Sequence, residues 1–217
     1  MNPDVLHENF ARLAQRHNAV GFPREYAVFD LECERSGMRR VTQTAMLLVD
    51  HEKGDQVTQY THDPESEEKN LAGAVKMFTE VAKRGVVLVG QNILRFDIPK
   101  LVVRCERVLG FHETFGFAQA IDSIPVIDTG LLFKAAADGL RMQPGEHPTD
   151  FYKRIPPRGG RWSLDYALAF TGMFESEQAV ADWPGRHTAS GDCTLTKMLL
   201  DALVSKSVEN TLKEAGL

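Results

Sequence analysis

The chain has 217 residues, of which 43% are hydrophobic, and carries a formal net charge of −5 at pH 7. This length is enough to bury a sizeable core as one α/β domain, which we expect to cover residues 1–217. No apolar run approaches the ~20 residues that span a bilayer, and the first residues lack the apolar centre of a signal peptide. We therefore expect a protein that neither spans a membrane nor is secreted. The negative charge also argues against broad electrostatic capture of nucleic acid.

The cysteine content indicates the compartment. The chain has three cysteines, and none of them stands in a CxxC pair. This argues against a zinc site and against a disulfide framework. We expect a reducing environment, which means the cytoplasm or, in a eukaryote, also the nucleus.

The first predicted element is a short helix over residues 3–17. Asn2 and Pro3 are typical of a helix N-cap and first helical position, and apolar residues follow at helical spacing. The main part of the domain, about residues 24–205, comes after this helix.

Two carboxylates share one face of the first predicted strand, YAVFDLE, residues 26–32. The period of 2 places Asp30 and Glu32 on the same face as Val28. Two like charges held close and partly buried raise each other's pKa and destabilise the fold unless a cation lies between them. The pattern therefore indicates a metal site. The alternative is that both carboxylates lie in water at a fraying strand end.

Further strands and helices follow in order. The runs VTQTAMLLVD and DQVTQYTHDPE predict the second and third strands, residues 71–84 a helix, and residues 86–89 a short buried strand. A turn over residues 90–96 leads into a helix that starts at Ile98. Asp97 at this junction is either an ordinary N-cap or a site residue, since ligands of open α/β sheets gather beyond the strand ends.

The run PVIDTGLLF predicts a fifth strand and the start of its following helix. The next segment, residues 141–162, is predicted to be a loop because it is rich in proline and glycine, and it combines basic with aromatic residues. Such a combination can hold phosphates and stack the bases of a single strand, so we assign Arg154 and Arg158 to substrate binding. The alternative is a solvated surface loop that binds no ligand.

The last predicted element is an amphipathic helix over about residues 189–205. Asp192 falls on its apolar stripe, and a carboxylate on the core-facing side of a helix needs a partner or a metal. The alternative is that the helix dipole stabilises an acid in the first turn. This explains the charge of Asp192 but not its position on the apolar side of the helix. His187 lies just before this helix and gains its functional weight from Asp192.

Three motifs in this order, DLE, NILRFD and HTASGD, resemble the three exonuclease motifs of the DEDDh family of 3′-to-5′ exonucleases. The family includes the proofreading subunit of bacterial DNA polymerase III, ribonuclease T and the three-prime repair exonucleases. The resemblance extends from about Tyr26 to about Leu203, with each motif in its expected context of strand, strand-to-helix junction and helix start. It implies a ribonuclease H-like α/β fold, with a mixed five-stranded sheet and helices on both faces.

The resemblance also implies a role for each residue. Asp30, Glu32, Asp97 and Asp192 would be the ligands of two divalent ions, and His187 would be the general base. Mg²⁺ or Mn²⁺ suits carboxylate ligands and leaves positions open for the scissile phosphate, and two ions about 4 Å apart can stabilise the attacking and leaving oxygens. Histidine suits proton removal because its unperturbed pKa is near neutrality.

The resemblance further implies substrate contacts at Leu31, Cys33 and Asn92. Many relatives follow D-x-E with small hydroxyl residues and glycine, whereas Cys33 and Glu34 stand here, so the contact to the terminal nucleotide differs from theirs. We expect Glu34 either to point away on the opposite face from Glu32 or to be held by Arg35 or another cation.

The expected activity is removal of 5′-mononucleotides from the 3′ ends of single-stranded or frayed nucleic acid, with DNA slightly preferred over RNA. Two alternatives are an exoribonuclease that trims RNA and a module that binds 3′ ends without turnover. All five catalytic residue types are present, which counts against the binding module. Several relatives are dimers, so a homodimer is compatible with the resemblance.

Overall fold

The computed structural model describes residues 1–16, 25–34, 40–50, 54–63, 65–156 and 163–214. Its elements in chain order are α1 (Pro3–Arg16), β1 (Glu25–Cys33), β2 (Val41–Asp50), β3 (Asp55–His62), α2 (Glu67–Arg84), β4 (Val87–Gly90), α3 (Asp97–Val108), α4 (Phe111–Ser123), β5 (Val126–Asp128), α5 (Thr129–Asp138), α6 (Pro148–Arg154), α7 (Leu164–Phe170), α8 (Glu177–Ala181) and α9 (Ala189–Glu214). The predicted α/β class is confirmed. None of the helices in these ranges combines the length and the apolar composition that a bilayer span requires.

The strands form a mixed sheet around β1. This strand pairs antiparallel with β2 and parallel with β4, and β2 pairs antiparallel with β3. The strand order is β3-β2-β1-β4-β5. We predicted five strands, and the fifth, β5, has only three residues, while the extended pairing of the sheet lies in the four strands β1 to β4. The physical reason is that Asp128 ends β5 by capping the next helix, its side chain accepting a hydrogen bond of 2.9 Å from Leu131 N.

The chain divides into two compact units. The unit that we call the sheet unit contains residues 24–126 and 184–194, and the one that we call the helical unit contains residues 1–23, 127–183 and 195–217. Two compact units can belong to one domain, so the single domain over the whole chain stays a prediction.

The core of the sheet unit fixes which face of β1 is apolar. Phe29 lies on the same face as Ala27 and Leu31, and all three are buried in one cluster with α2 and α3. Phe29 packs edge-on against Phe78 at a centroid distance of 4.8 Å, and Phe78 packs against Phe117 at 5.3 Å. Alternation along the strand then directs Asp30 and Glu32 to the opposite face, as predicted.

A buried ion pair joins three elements of the sheet unit. Glu67, the first residue of α2, pairs with Arg104 of α3, and both side chains are 7% exposed. The same carboxylate accepts a hydrogen bond of 2.8 Å from Val41 N at the start of β2. Removal of one partner would leave a buried charge uncompensated, at a cost of about 3–5 kcal/mol.

Several predicted boundaries need correction. Helix α2 begins at Glu67, four residues before the predicted start, because the Ser66 side chain caps it by accepting from Lys69 N at 3.3 Å. Segment 141–162 is not a continuous loop, since α6 begins at Pro148, where proline at the first position favours a helix. Helices α4, α7 and α8 were not predicted.

The predicted N-terminal helix is confirmed within the described residues. Asn2 caps α1 by accepting a hydrogen bond of 3.1 Å from Asp4 N, and the helix ends at Arg16, while residue 17 lies outside the described residues. Within the helical unit, Asn9 ties α1 to the segment after α5 through hydrogen bonds with Leu140 O and Met142 N.

Candidate functional site

Asp30 occupies the centre of the site on β1. One of its carboxylate oxygens, Oδ2, is buried and has no hydrogen-bond partner among the described residues. The pKa of Asp30 is raised well above its usual value, first by burial and then by the charges of Asp97, Asp192 and Glu32. Its ionised form is therefore disfavoured unless a cation approaches. The alternative of a solvated strand end does not fit Asp30.

Asp97 reaches from α3 to β1. It is the first residue of α3 rather than its N-cap, which is Phe96 without a side-chain capping bond, so the N-cap alternative is wrong. The Asp97 side chain is instead buried, and its Oδ1 accepts a hydrogen bond of 3.2 Å from Leu31 N. Since Leu31 stands between Asp30 and Glu32, this bond holds the Asp97 carboxylate beside both of the strand carboxylates.

The segment before α9 is fixed by hydrogen bonds to the helix start. Thr188 Oγ1 accepts from Gly191 N at 3.1 Å, as an N-cap does, and donates to Gly185 O at 2.6 Å. The Asp192 Oδ1 atom accepts from His187 N at 3.2 Å. One carboxylate oxygen of Asp192 therefore positions the backbone of the residue that we predicted as general base.

Gly191 allows this segment to approach the helix. A Cβ at this position would lie 2.0 Å from Gly185 O and 2.9 Å from Thr188 Oγ1, distances that no side chain tolerates. Glycine in the HTASGD motif is thus required by the close approach of two backbone segments.

His187 and Asn92 share an unusual backbone conformation. Their φ angles are 64° and 57°, and they are the non-glycine residues with positive φ within the described part of the chain. Such conformations are uncommon outside glycine, although Asn and His adopt them more readily than most, and they cluster at functional sites. Both residues belong to motifs that the sequence assigns to the site.

The structure brings the predicted residues together within the sheet unit. Glu32, His187 and Asp192 each offer a ligand atom, and these atoms lie within 4.8 Å of one another. Asp30 lies close enough to this group for the charges of Asp97, Asp192 and Glu32 to raise its pKa. The site thus combines carboxylates from β1, α3 and α9 with one exposed imidazole.

Arg186 is a residue that sequence reasoning missed. Its guanidinium pairs with Asp192 Oδ2, and both side chains are 9% exposed. It also lowers the pKa of Asp30, against the stronger effects of burial and the acidic neighbours. The signal was present in the sequence as a cation directly before His187, but a position in a loop does not tell where a long side chain points.

Gln43 is a second missed residue. It lies opposite Glu32 in the β1–β2 register, and its Oε1 accepts a hydrogen bond of 3.2 Å from Ala189 N at the start of α9. The sequence alone shows Gln43 only as one residue of the second predicted strand. It links the strand next to Glu32 to the helix that carries Asp192.

The two cysteines near the site are protonated thiols. Cys193 is buried and donates to Val28 O and Ala45 O, both at 3.4 Å, and burial raises its pKa well above the usual value. Burial likewise raises the pKa of Cys33 to about 11. Neither thiol is activated as a nucleophile, so a contact between Cys33 and substrate would use a neutral group.

The other residues predicted to contact substrate differ in which of their atoms are available for a contact. The Leu31 side chain lies in the core, so a contact with substrate would use its backbone. Asn92 lies in the turn after β4, where its carbonyl accepts from Arg95 N and Phe96 N at 2.9 Å each. Glu34 is held by Arg40, whose Nε donates to Glu34 Oε1 at 2.8 Å, as one of our two expectations stated.

In the described part of segment 141–162, basic residues are paired with acids in the helical unit. Arg154 donates to Glu146 at 2.6 Å and lies over the Phe151 ring at 5.2 Å, and Lys153 pairs with Asp150 at 2.9 Å. These pairs favour the alternative of a solvated surface. Arg158 lies outside the described residues.

No protein-family model matches the chain, and no curated protein matches it significantly.

Proposed function

We propose that the protein is a divalent-metal-dependent 3′-to-5′ exonuclease. The observation that carries the proposal is the convergence of Glu32, His187 and Asp192, with ligand atoms within 4.8 Å of one another. This group lies beside Asp30, whose buried carboxylate oxygen accepts no hydrogen bond from the described residues. A histidine among acidic residues on a strand, a helix start and a loop is the arrangement that the three motifs predict.

The residues present fit a pair of divalent ions. Asp30, Glu32, Asp97 and Asp192 supply only oxygen donors, which Mg²⁺ and Mn²⁺ prefer. The pKa of Asp30 is raised by burial and by the other three carboxylates, so positive charge at this place would relieve a repulsion. We assign these four carboxylates as the ligands of two Mg²⁺ or Mn²⁺ ions.

The metal ions and the histidine would have different roles in hydrolysis. Bound to the carboxylates, the two ions would polarise the scissile phosphate and stabilise charge on the attacking and leaving oxygens. His187 accepts the proton of the attacking water as general base, which a neutral imidazole does near pH 7. Its ring is exposed, so water and substrate reach it, while the bond from its backbone N–H to Asp192 fixes its position.

We further propose a ribonuclease H-like fold. The support is the strand order β3-β2-β1-β4-β5. In this order, β1, β2 and β3 pair antiparallel in sequence, and β4 pairs parallel with β1. The motif residues lie at the expected places on β1, at the start of α3 and at the start of α9.

The proposed substrate is a single-stranded or frayed 3′ end, with DNA slightly preferred over RNA. An exoribonuclease that trims RNA has the same catalytic residues, because discrimination of the sugar depends on contacts with one 2′-hydroxyl. The described cysteines are free thiols, in keeping with a cytoplasmic or nuclear location, and homodimerisation stays a prediction.

The direct experiment is a gel time course with matched 3′-tailed DNA and RNA, each labelled at the 5′ end or the 3′ end. The proposal predicts a ladder that shortens from the 3′ end in Mg²⁺ or Mn²⁺ and is abolished by EDTA, with mononucleotide released at once from 3′-labelled substrate. The faster substrate identifies the sugar. Absence of cleavage on both substrates in both metals, with retained binding, would leave the 3′-end-binding module as the better account.

A further inference from the structure

The carboxylate cluster contains a cation of its own. The Arg186 guanidinium pairs with Asp192 Oδ2, and both side chains are almost fully buried. Desolvation strengthens such a pair because the surrounding dielectric constant is lower than that of water. An arginine is always charged at physiological pH, so the pair holds a permanent positive charge at one of the proposed metal ligands.

The two oxygens of Asp192 have separate roles. Oδ1 accepts from His187 N, which keeps the loop in place, whereas Oδ2 pairs with Arg186. Release of Arg186 from Oδ2 would therefore leave the bond that positions His187 intact.

We propose that Arg186 is the internal counter-ion of the carboxylate cluster, bound to Asp192 in the metal-free protein and displaced when divalent ions bind. The inference rests on the proposed metal-dependent function. A guanidinium and a divalent ion repel each other at the same carboxylate, so the binding free energy of the ion is reduced by the free energy of breaking the pair. Arg186 thereby sets the metal affinity of the site and stabilises the acidic cluster while no ion is bound.

The test is calorimetric titration of the full chain with Mn²⁺, together with melting temperatures with and without the ion. The variants are Arg186→Gln, Arg186→Lys and the control Arg84→Gln, whose arginine pairs with Glu25 at the other end of β1. We expect Arg186→Gln to bind Mn²⁺ at least about tenfold more tightly than wild type, which corresponds to about 1.4 kcal/mol. Its metal-free melting temperature should fall, and saturating Mn²⁺ should restore it.

Arg186→Lys keeps the charge without the planar fork of donors, so it should fold and show an intermediate affinity, and Arg84→Gln should bind Mn²⁺ like wild type. Unchanged or weaker Mn²⁺ binding by both Arg186 variants, with normal binding by wild type, would overturn the inference and leave the proposed function standing. If wild type itself binds no Mn²⁺, the proposed metal-dependent function fails and the inference fails with it.

Discussion

At the scale of the residue, Asp30 lies in surroundings that disfavour its charge. Burial and the neighbouring Asp97, Asp192 and Glu32 raise its pKa, and Arg186 only partly compensates. The folded state therefore holds the Asp30 proton more tightly than the unfolded chain does. Between the unfolded pKa of about 3.9 and the raised folded pKa, the free energy of unfolding of the metal-free protein falls as pH rises.

We expect Asp30→Asn to stabilise the metal-free protein at neutral pH. The gain should be on the order of 1 kcal/mol or more, which is about 2–4 °C in melting temperature for a chain of this length. It should disappear as the pH is lowered below about 4, where Asp30 is protonated in both states. Melting curves of the metal-free protein measured from below this pH up to pH 8 test the gain and its disappearance.

The control for this variant is Asp122→Asn, which removes an exposed carboxylate on α4 in the same unit and should leave the melting temperature unchanged. Saturating Mg²⁺ should reverse the order of Asp30→Asn and wild type, because the variant has lost a ligand. A metal-free Asp30→Asn protein that melts below wild type at pH 8 would show that the charge of Asp30 is already balanced.

The sequence predicts the surroundings of some site residues and not of others. Asp192 was predicted to be buried because its phase with the apolar stripe of α9 is a local property, and it is buried. Arg186 and Gln43 were missed because their roles depend on partners 6 and 146 residues away, Asp192 and Ala189. No local period encodes such contacts.

At the scale of the element, the start of α9 must be held against the sheet for the site to form. Gln43 on β2 provides the side-chain acceptor for Ala189 N, and it lies opposite Glu32. This contact joins β2, the neighbour of the strand that carries Glu32, to the helix that carries Asp192. Gln43 is therefore a positioning residue, since it acts through its neighbours.

We expect Gln43→Met to lower kcat by about tenfold or more and to weaken Mn²⁺ binding, with little change in KM. The variant keeps the side-chain length but loses the acceptor, and loss of one hydrogen bond should cost only about 1 kcal/mol of stability. Gln43→Glu retains an acceptor of the same length and should recover part of kcat. A Gln43→Met protein with wild-type kcat and Mn²⁺ affinity would contradict this role.

The elements with a strong period were predicted, and the weakly patterned ones were not. Strand β2 was predicted with its observed bounds, Val41–Asp50, and β1 to within one residue at each end. Helix α6 is only seven residues long and lies in a proline- and glycine-rich segment, so composition alone favoured a loop. Helix α4 contains Gly116 and has no clear apolar stripe, which hides it from a period-based prediction.

At the scale of the whole molecule, charge limits how the proposed nucleic-acid substrate can bind. The net charge is −5, and Arg141, Lys153 and Arg154 are paired with Glu8, Asp150 and Glu146 in the helical unit. A cation that is already paired with an acid neutralises a phosphate less effectively, so fewer counter-ions leave the nucleic acid on binding. Affinity should therefore depend on the site rather than on a broad basic surface.

We expect the Kd for a single strand to rise less than about tenfold between 50 and 200 mM salt, as one or two phosphate contacts would give. Arg154→Gln should leave that Kd within about twofold of wild type because Glu146 already binds the guanidinium. Fluorescence anisotropy in Ca²⁺ measures both. A large loss of affinity in Arg154→Gln, with a shallower salt dependence, would support the predicted phosphate contact instead.

We propose that the group formed by Glu32, His187 and Asp192 is a metal-dependent nuclease site. The measurement that tests it most directly is the initial rate of mononucleotide release in Mg²⁺ by wild type, His187→Ala and His112→Ala, each repeated in EDTA. His112 is an exposed histidine on α4 and serves as the matched control. We predict that His187→Ala lowers the rate by about 10²–10⁴-fold, that His112→Ala equals wild type, and that EDTA abolishes release. Equal rates for His187→Ala and wild type, or release that persists in EDTA, would contradict the account.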